Sequence, residues 1–228
     1  MPWLRQSGLA MYVSAGSTSP NSTTGTTGRP AAAATRVDRS THFLQRVLRN
    51  HRSIAELVGE RSPLSTLRVG TLRTAAGSVQ VLVSILRLGV AGKVVDNYHA
   101  GGLTSGVDLH TGVLLPATSL ALVRRGWPNA FCVTAHPETG RRFAGVFAVP
   151  DFQRASALCI EAHGKLAPDL LRVGWDLALT DDGPVFIEAA AASCGCEVFT
   201  DDTTRDTYLE ALRDNIARSC EARDSAHG

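Results

Sequence analysis

The sequence predicts an α+β fold, with a mainly antiparallel sheet flanked by helices. Short segments rich in Val, Ile, Leu and Thr alternate with glycine-containing turns near 66–74, 78–87 and 92–97, a pattern that indicates a meander of antiparallel strands. Apolar residues recur at three- and four-residue spacing on either side of this region, as amphipathic helices require. Because 228 residues suffice for one domain with a core or for two small lobes that share a cleft, we expect one globular unit.

Residues 1–39 form a predicted disordered, low-complexity tail. Between 14 and 35 the chain consists almost entirely of Ser, Thr, Gly, Ala, Pro and Asn, which cannot bury enough apolar surface to offset the entropy cost of ordering. No acidic residue precedes Asp38, so an organelle transit peptide is an alternative, as is a misplaced start codon. We therefore assign the folded domain to residues 40–224.

Three helices are predicted within this domain. The first begins near Ser40 and continues to Val58, and the third covers 206–221 and closes the domain. The second begins at Pro150-Asp151. Its apolar face comprises Ala155, Leu158, Cys159, Ala162 and Leu166.

Composition disfavours several classes of partner and site. The net charge is +2 and the charges are interspersed, so we expect no nucleic-acid partner. No uninterrupted apolar run approaches the roughly 20 residues of a membrane span, so we expect no membrane association. Five cysteines without CxxC spacing argue against a disulfide framework and a structural zinc site and fit a cytoplasmic protein. Cys194-Gly195-Cys196 could form a thiol switch or a soft-metal site, but ordinary thiols are the preferred interpretation.

A hairpin is predicted over residues 171–190. Two apolar-rich runs flank Asp181-Asp182-Gly183, which suits a three-residue loop with the glycine in the left-handed conformation. Such a loop sets Thr180 opposite Pro184. A two-residue loop with regular pairing would turn Glu188 onto the apolar face at a high burial cost, so the longer loop is preferred.

This loop places two acids on one face of the hairpin. Counting back along both strands sets Asp176 opposite Glu188, with Cβ atoms about 4.5–5.5 Å apart, while the small residues Gly174 and Ala178 leave that face open to a ligand. The other face is apolar and comprises Leu171, Val173, Trp175, Leu177, Leu179, Val185, Ile187 and Ala189. Since opposed like charges are destabilising, we expect Mg²⁺ between the acids. Two acids on a solvated sheet face are the alternative.

Candidate anion-binding groups lie on the preceding strands. Arg68 belongs to the first strand, Arg87 ends the second, and Asn97 with Gly101-Gly102 follows the third. Guanidinium and backbone N–H groups can hold phosphate or acyl-phosphate oxygens, because phosphoryl transfer is catalysed largely by positioning and charge neutralisation. Each feature alone is also typical of a solvated strand or an ordinary turn.

Other common catalytic patterns are not found in the sequence. There is no nucleophile elbow, no Walker-type phosphate loop and no dinucleotide fingerprint. His99 and His136 are candidate acid–base groups, with a surface or loop histidine as the preferred interpretation, because neither has a partner that the sequence reveals.

Six segments, in order along residues 50–190, carry a resemblance to a known family. They are 65–71, 86–89 with 95–97 and 100–102, 107–112, 136–140, 174–180 and 183–188. Together they are similar to the sugar-transfer associated ATP-grasp proteins, also called the alpha-L-glutamate ligase-related group. The resemblance implies an ATP-grasp-like fold that holds ATP and Mg²⁺ between two lobes. It also implies a ligase that activates a carboxylate as an acyl phosphate and passes it to an amine.

The resemblance also implies roles for individual residues. These are Asp176 and Glu188 as metal ligands, Arg68 and Arg87 as catalytic and phosphate-binding groups, and Asn97 with Gly101 and Gly102 at the substrate end. Family members usually place an asparagine ligand two residues after the second acid, where this chain has Ala190. The family's N-terminal lobe, with its nucleotide-gripping lysines, has no counterpart, so we expect the C-terminal portion of the fold, which acts as it stands or is completed by a partner chain.

Three functions remain open from the sequence. The first is an ATP- and Mg²⁺-dependent carboxylate–amine ligase that binds a nucleotide and small carboxylate and amine substrates. The second is a catalytically inactive ATP-grasp remnant that binds a ligand or a partner, motivated by Ala190. The third is a structural or interaction protein, which requires the two arginines and the two acids to lie on separate surfaces.

Overall fold

A computed structural model of the chain describes residues 47–74, 76–92, 102–119, 132–191 and 206–217. The predicted tail and most of the predicted strand at 92–97 lie outside these residues. The described part contains a six-stranded sheet and three helices, so the predicted α+β class with a mainly antiparallel sheet is confirmed.

The sheet is antiparallel throughout. Its strands are β1 (Thr66–Arg73), β2 (Val79–Leu88), β3 (Leu103–Val107), β4 (Leu114–Thr118), β5 (Arg172–Thr180) and β6 (Gly183–Ala190). They are arranged in the order β4-β3-β2-β1-β5-β6, so the hairpin β5–β6 joins the meander at β1. The first two predicted strands correspond to β1 and β2. The pairing of β1 with β5 brings together segments about a hundred residues apart in the sequence.

The helices are α1 (Arg52–Val58), α2 (Phe152–Leu166) and α3 (206–217). Helix α2 begins where Pro150-Asp151 predicted, and no described helix is long and apolar enough to cross a membrane. The prediction of a helix from Ser40 is wrong for residues 47–51. There His51 donates its backbone N–H to the carbonyl of Leu179 at 2.7 Å and accepts the N–H of Ser53 on its ring, so it caps α1 instead of extending it.

One face of the sheet packs on α1 and α2 and is called the helix-covered face. Its buried core includes Leu67, Val69, Leu86, Trp175, Leu177, Ile54, Ala155 and Cys159. A polar group is also enclosed here. The Thr71 hydroxyl lies 2.7 Å from Nδ1 of His163, accepts the indole N–H of Trp175 at 2.9 Å, and lies 3.2 Å from the carbonyl of Val173.

The opposite face carries Arg68, Arg87, Asp176 and Glu188 and is called the charged face. It follows from the register, because Arg68 pairs with Asp176 across β1 and β5, and Asp176 pairs with Glu188 across β5 and β6. A smaller apolar cluster, which includes Leu72, Val83, Ile85 and Ala211, packs α3 nearby. The sheet is therefore covered on both sides, and its buried ion pairs lie on the charged face.

The hairpin β5–β6 departs from the predicted loop. Thr180 pairs with Gly183, so the loop has two residues, and the prediction of Thr180 opposite Pro184 is wrong. A β-bulge at Ile187 then restores the pairing of Asp176 with Glu188. The predicted apolar face is wrong in β6, where Phe186 is buried in place of the predicted Val185 and Ile187. Phe186 packs edge-on against Trp175 with ring centroids 5.4 Å apart.

Candidate functional site

The four charged side chains predicted for the site converge on the charged face. Arg68 donates from Nε and Nη2 to the two carboxylate oxygens of Asp176, a bidentate pair, with the second bond at 2.8 Å. Arg87 places Nη2 at 2.7 Å from Oδ2 of the same carboxylate. Glu188 is more distant, with Oε1 at 4.0 Å from Nη2 of Arg68. Adjacent strands β2, β1, β5 and β6 each contribute one member of this charged cluster.

Burial differs among the four side chains. The Asp176 side chain is 6% exposed, those of Arg68 and Arg87 are 13% and 17% exposed, and that of Glu188 is 45% exposed. Burial by itself raises the pKa of Asp176, but the hydrogen bonds and positive charges of Arg68 and Arg87 outweigh it and hold the pKa below its ordinary value. Asp176 is therefore an ionised anchor, whereas Glu188 faces the opening of the cluster.

The charge compensation differs from the sequence expectation. The opposed acids were expected to require a cation between them, and the structure supplies two guanidinium groups from β1 and β2 instead. Two arginines and two acids sum to zero formal charge, so the cluster is neutral without any metal ion. The sequence could not reveal this, because Arg68 and Asp176 are 108 residues apart and meet only through the sheet.

The donor set limits how Mg²⁺ could bind. The described residues contain no group of three or more His, Cys, Asp or Glu side chains that could hold a metal ion. A bare cation would compete with Arg68 and Arg87 for the oxygens of Asp176. A magnesium–phosphate unit fits better, because its phosphate oxygens offer the arginines new acceptors while two carboxylates suffice for Mg²⁺.

The next position on the acidic side of β6 carries no ligand. Ala190 pairs with Gly174 across β5, so a methyl group and a hydrogen face each other beyond the pair of acids. This agrees with the departure from the family pattern seen in the sequence. A metal ion here would rely on Asp176 and Glu188 alone among the residues that the structure describes, with water and substrate oxygens completing its shell.

The remaining candidates fall into two groups. Asn97, Gly101 and His99 lie outside the described residues, as does Cys194-Gly195-Cys196, whereas Gly102 is buried directly before β3. His136 is fully buried and binds the carbonyl oxygen of Gly89 through Nε2 at 2.9 Å, and burial lowers its pKa. It lies among loop and core residues, which favours the structural interpretation.

Two open cavities lie away from the charged cluster. One of about 570 Å³ is bordered by residues 47–50, Arg154 and the hairpin turn, and another of about 390 Å³ lies against α1. None of the four cluster residues lines either cavity. The charged face therefore remains the candidate for chemistry, because it holds the four converging charged side chains.

Comparison with known proteins identifies one family over most of the chain. A family model described as sugar-transfer associated ATP-grasp matches residues 32–200, a range that contains all six strands and helices α1 and α2. No curated protein and no solved structure matches the chain.

Proposed function

Because this chain belongs to the sugar-transfer associated ATP-grasp family, we propose that it is an ATP-dependent ligase-like protein that joins a carboxylate to an amine through an acyl phosphate. The observation that supports this is the convergence of two arginines and two acids on one face of four adjacent strands. A structural protein has no need for such a cluster, because buried ion pairs contribute little net stability compared with apolar packing.

The proposed reaction has two balanced steps. A carboxylate oxygen of the substrate attacks the γ-phosphorus of ATP, the bond from that phosphorus to the β,γ-bridging oxygen breaks, and ADP leaves. The amine nitrogen then attacks the acyl carbon, inorganic phosphate leaves, and the nitrogen loses a proton. Both steps move negative charge between oxygens, so positioned cations are the main requirement for catalysis.

Each member of the charged cluster has a role in this proposal. Arg68 and Arg87 bind the transferring phosphoryl and acyl-phosphate oxygens, for which a planar guanidinium is well suited. Asp176 fixes both guanidiniums while it accepts their hydrogen bonds. Asp176 and Glu188 would hold Mg²⁺, which supplies charge neutralisation on the phosphates when it is bound.

A non-catalytic binding module is the second candidate. Two features favour it: Ala190 stands where a further metal ligand is usual, and both oxygens of Asp176 already accept hydrogen bonds from arginine. The same cluster would then bind a phosphorylated ligand without transferring the phosphoryl group. A partner chain that supplies further nucleotide contacts remains a prediction.

Titration calorimetry with Mg-ATP tests binding at the charged face. We expect the full chain to bind Mg-ATP and Glu188→Gln to weaken binding at least about tenfold, because a neutral amide is a poor ligand for Mg²⁺. Glu161→Gln, on the exposed side of α2, is the matched control and should leave binding unchanged. A folded protein that takes up no Mg-ATP would rule out a ligase that acts as a single chain, and the binding module would then require a phosphorylated ligand other than ATP.

Trapping with hydroxylamine separates the two candidates. Acyl phosphates react with hydroxylamine to give hydroxamates, so a ligase given ATP, Mg²⁺ and a pool of small carboxylic acids should form a hydroxamate and an equal amount of ADP. Arg87→Lys should reduce this yield more than it reduces Mg-ATP binding, because lysine keeps the charge but loses the bidentate geometry. Binding of Mg-ATP without any hydroxamate would favour the binding module.

A further inference from the structure

The larger of the two open cavities lies at the tip of the hairpin β5–β6. Its volume is about 570 Å³, and cavities of about 300–1,000 Å³ are typical of binding sites. The hairpin turn, the first turn of α2 and residues 47–50 line it. The lining is mixed, with the apolar residues Val47, Leu48, Pro184 and Val185 and the polar residues Arg49, Asn50, Arg154, Thr180, Asp181 and Asp182.

The charges of this lining do not select a charged ligand. Arg49 and Arg154 contribute two positive charges, and Asp181 and Asp182 contribute two negative charges, so the lining is neutral in total. Oδ1 of Asp181 already accepts the backbone N–H of Arg52 at 3.0 Å and lies 3.4 Å from Nε of the same residue. The lining therefore favours an uncharged occupant that can cover the apolar walls.

The apolar walls of the cavity are incompletely buried. Val47 is 83% exposed, more than any other large apolar residue in the described part of the chain. Leu48, Pro184 and Val185 are partly buried. Because removal of apolar surface from water is favourable, apolar side chains placed in the cavity would stabilise all four walls at once.

The chain supplies apolar side chains directly before the cavity. Residues 40–46, outside the described part, contain the adjacent apolar residues Phe43 and Leu44. Phe43 precedes Val47 by four residues, so its Cα lies about 6 Å from that of Val47 in a helix and at most about 14 Å away in an extended chain. A tether this short gives these side chains a high effective concentration at the cavity. The other members of the segment are polar: Ser40, Thr41, His42, Gln45 and Arg46.

The range of the family match also favours an occupant from this chain. The match begins at residue 32 and so includes the fifteen residues that precede Val47, the first described residue. A segment inside the matched range belongs to the pattern of the shared domain. A second copy of the chain or a free ligand would have to compete with this tethered segment.

We propose that residues 40–46 dock in the cavity and place Phe43 and Leu44 against Leu48 and Val185. The docked segment then links the start of the domain to the hairpin that carries both acids of the charged cluster. This inference does not rest on the proposed function, because none of the four cluster residues lines the cavity.

Hydrogen exchange of the full chain, followed by mass spectrometry, tests the docking. We expect the amides of residues 40–46 to exchange at least about tenfold more slowly than in a free peptide of the same sequence. Val185→Arg should remove this protection, because it places a charged side chain in the cavity. Val146→Arg is the matched control at a 63% exposed valine outside the lining and should leave the protection unchanged. Exchange at the rate of the free peptide in the folded wild-type chain would overturn the proposal.

A substitution in the segment itself remains informative if Val185→Arg does not fold. Phe43→Ser should lower Tm by at least about 3 °C, and Phe43→Leu should lower it less, because leucine keeps an apolar side chain in the cavity. Phe43→Ser combined with Val185→Ala should cost less than the sum of the two single changes, since both act at one contact. An unchanged Tm in Phe43→Ser would contradict the docking.

The dependence on protein concentration identifies the occupant. Docking within one chain predicts protection of residues 40–46 that is the same in dilute and concentrated samples. Protection that increases with concentration would assign the cavity to a second copy of the chain and would overturn the docking within one chain.

Discussion

Buried threonines on the two faces of this sheet differ in their hydrogen bonding. On the helix-covered face, Thr71 lies within hydrogen-bonding distance of His163, Trp175 and Val173, and the surroundings are apolar. On the charged face, ion pairs are buried and the hydroxyls of Thr104 and Thr118 have no partner in the described part of the chain. A completed network stabilises and specifies a core, whereas an unpaired buried hydroxyl lowers stability.

Replacement of Asp176 is expected to cause the largest loss of stability. Asp176→Ala removes the buried carboxylate that both guanidiniums contact and leaves the half-exposed Glu188, 4.0 Å from Arg68, as the remaining acid of the cluster, so we expect the free energy of unfolding to fall by about 3–5 kcal/mol. Urea denaturation followed by circular dichroism measures it. If the loss is under about 1 kcal/mol, the cluster is solvated and the charged face is not a buried site.

An apolar replacement of the whole ion pair network is the matched control. The triple variant Arg68→Met, Arg87→Met and Asp176→Leu should recover most of the stability that Asp176→Ala loses, because buried ion pairs can often be replaced by apolar residues at little cost. It should bind no Mg-ATP. A triple variant that is as unstable as Asp176→Ala would show that the charges hold the fold together.

Thr71→Val should destabilise the protein, whereas Thr104→Val should stabilise it, because it removes a buried hydroxyl that has no partner among the described residues. The substitution leaves the indole N–H of Trp175 and Nδ1 of His163 buried without their partner, which should reduce the free energy of unfolding by about 1–3 kcal/mol. Thermal unfolding of both variants side by side gives the two signs. Equal signs would mean that the two faces do not differ as described.

The two faces should also lose stability in different pH ranges. Burial lowers the pKa of His163 and of His136, so the folded state favours their neutral forms; that contribution is complete above about pH 6.5 and is lost as pH falls further. The slope should reach about 1.4 kcal/mol per pH unit for each histidine that the unfolded chain alone protonates. Asp176 has a lowered pKa, so its contribution is complete above about pH 3.9 and is lost only below it.

Urea titrations between pH 8 and pH 3 measure these ranges. His163→Gln should reduce the loss of unfolding free energy as pH falls below about 6.5 and leave the loss below about pH 3.9 unchanged. Asp176→Asn should do the reverse. If Asp176→Asn changed the slope near pH 6 instead, the carboxylate would be held neutral in the folded protein, contrary to its two arginine partners.

The smallest effect is expected for an exposed ion pair. Lys165 and Glu161 lie one turn apart on α2 with their side chains 55% and 52% exposed. Lys165→Ala should change the free energy of unfolding by no more than about 0.5 kcal/mol, and this change should vanish in high salt. A loss as large as that of Asp176→Ala would show that burial does not determine how much an ion pair contributes to stability.

Local patterns predicted much of the fold, and long-range pairing limited the rest. The first two strands and α2 followed from periodicity and turn residues, which are local. The bidentate pair of Arg68 with Asp176 depends on β1 meeting β5, and no local pattern encodes that meeting. Thr104 and Thr118 pair over a shorter separation in the sequence, but the burial of their side chains cannot be read from the sequence.

The hairpin shows how a correct pairing can follow from an incorrect loop. The eleven residues 177–187 between the two acids are odd in number, so pairing Asp176 with Glu188 requires either a three-residue loop or one bulged residue. The sequence argument chose the loop. The structure has the bulge, because it alone places Phe186 in the core against Trp175.

The bulge at Ile187 also makes the tip of the hairpin independent of the chemistry at its base. A residue inserted at Asp181-Asp182 lengthens the loop to three residues with the bulge and the pairing of the acids kept, and removal of Ile187 leaves a regular ladder with the same two acids opposed. The tip is therefore a place where chain length can vary, or where a label can be introduced, while the spacing of the acids stays fixed. The bulge thus separates a turn that can be replaced from a pair of acids whose positions stay fixed.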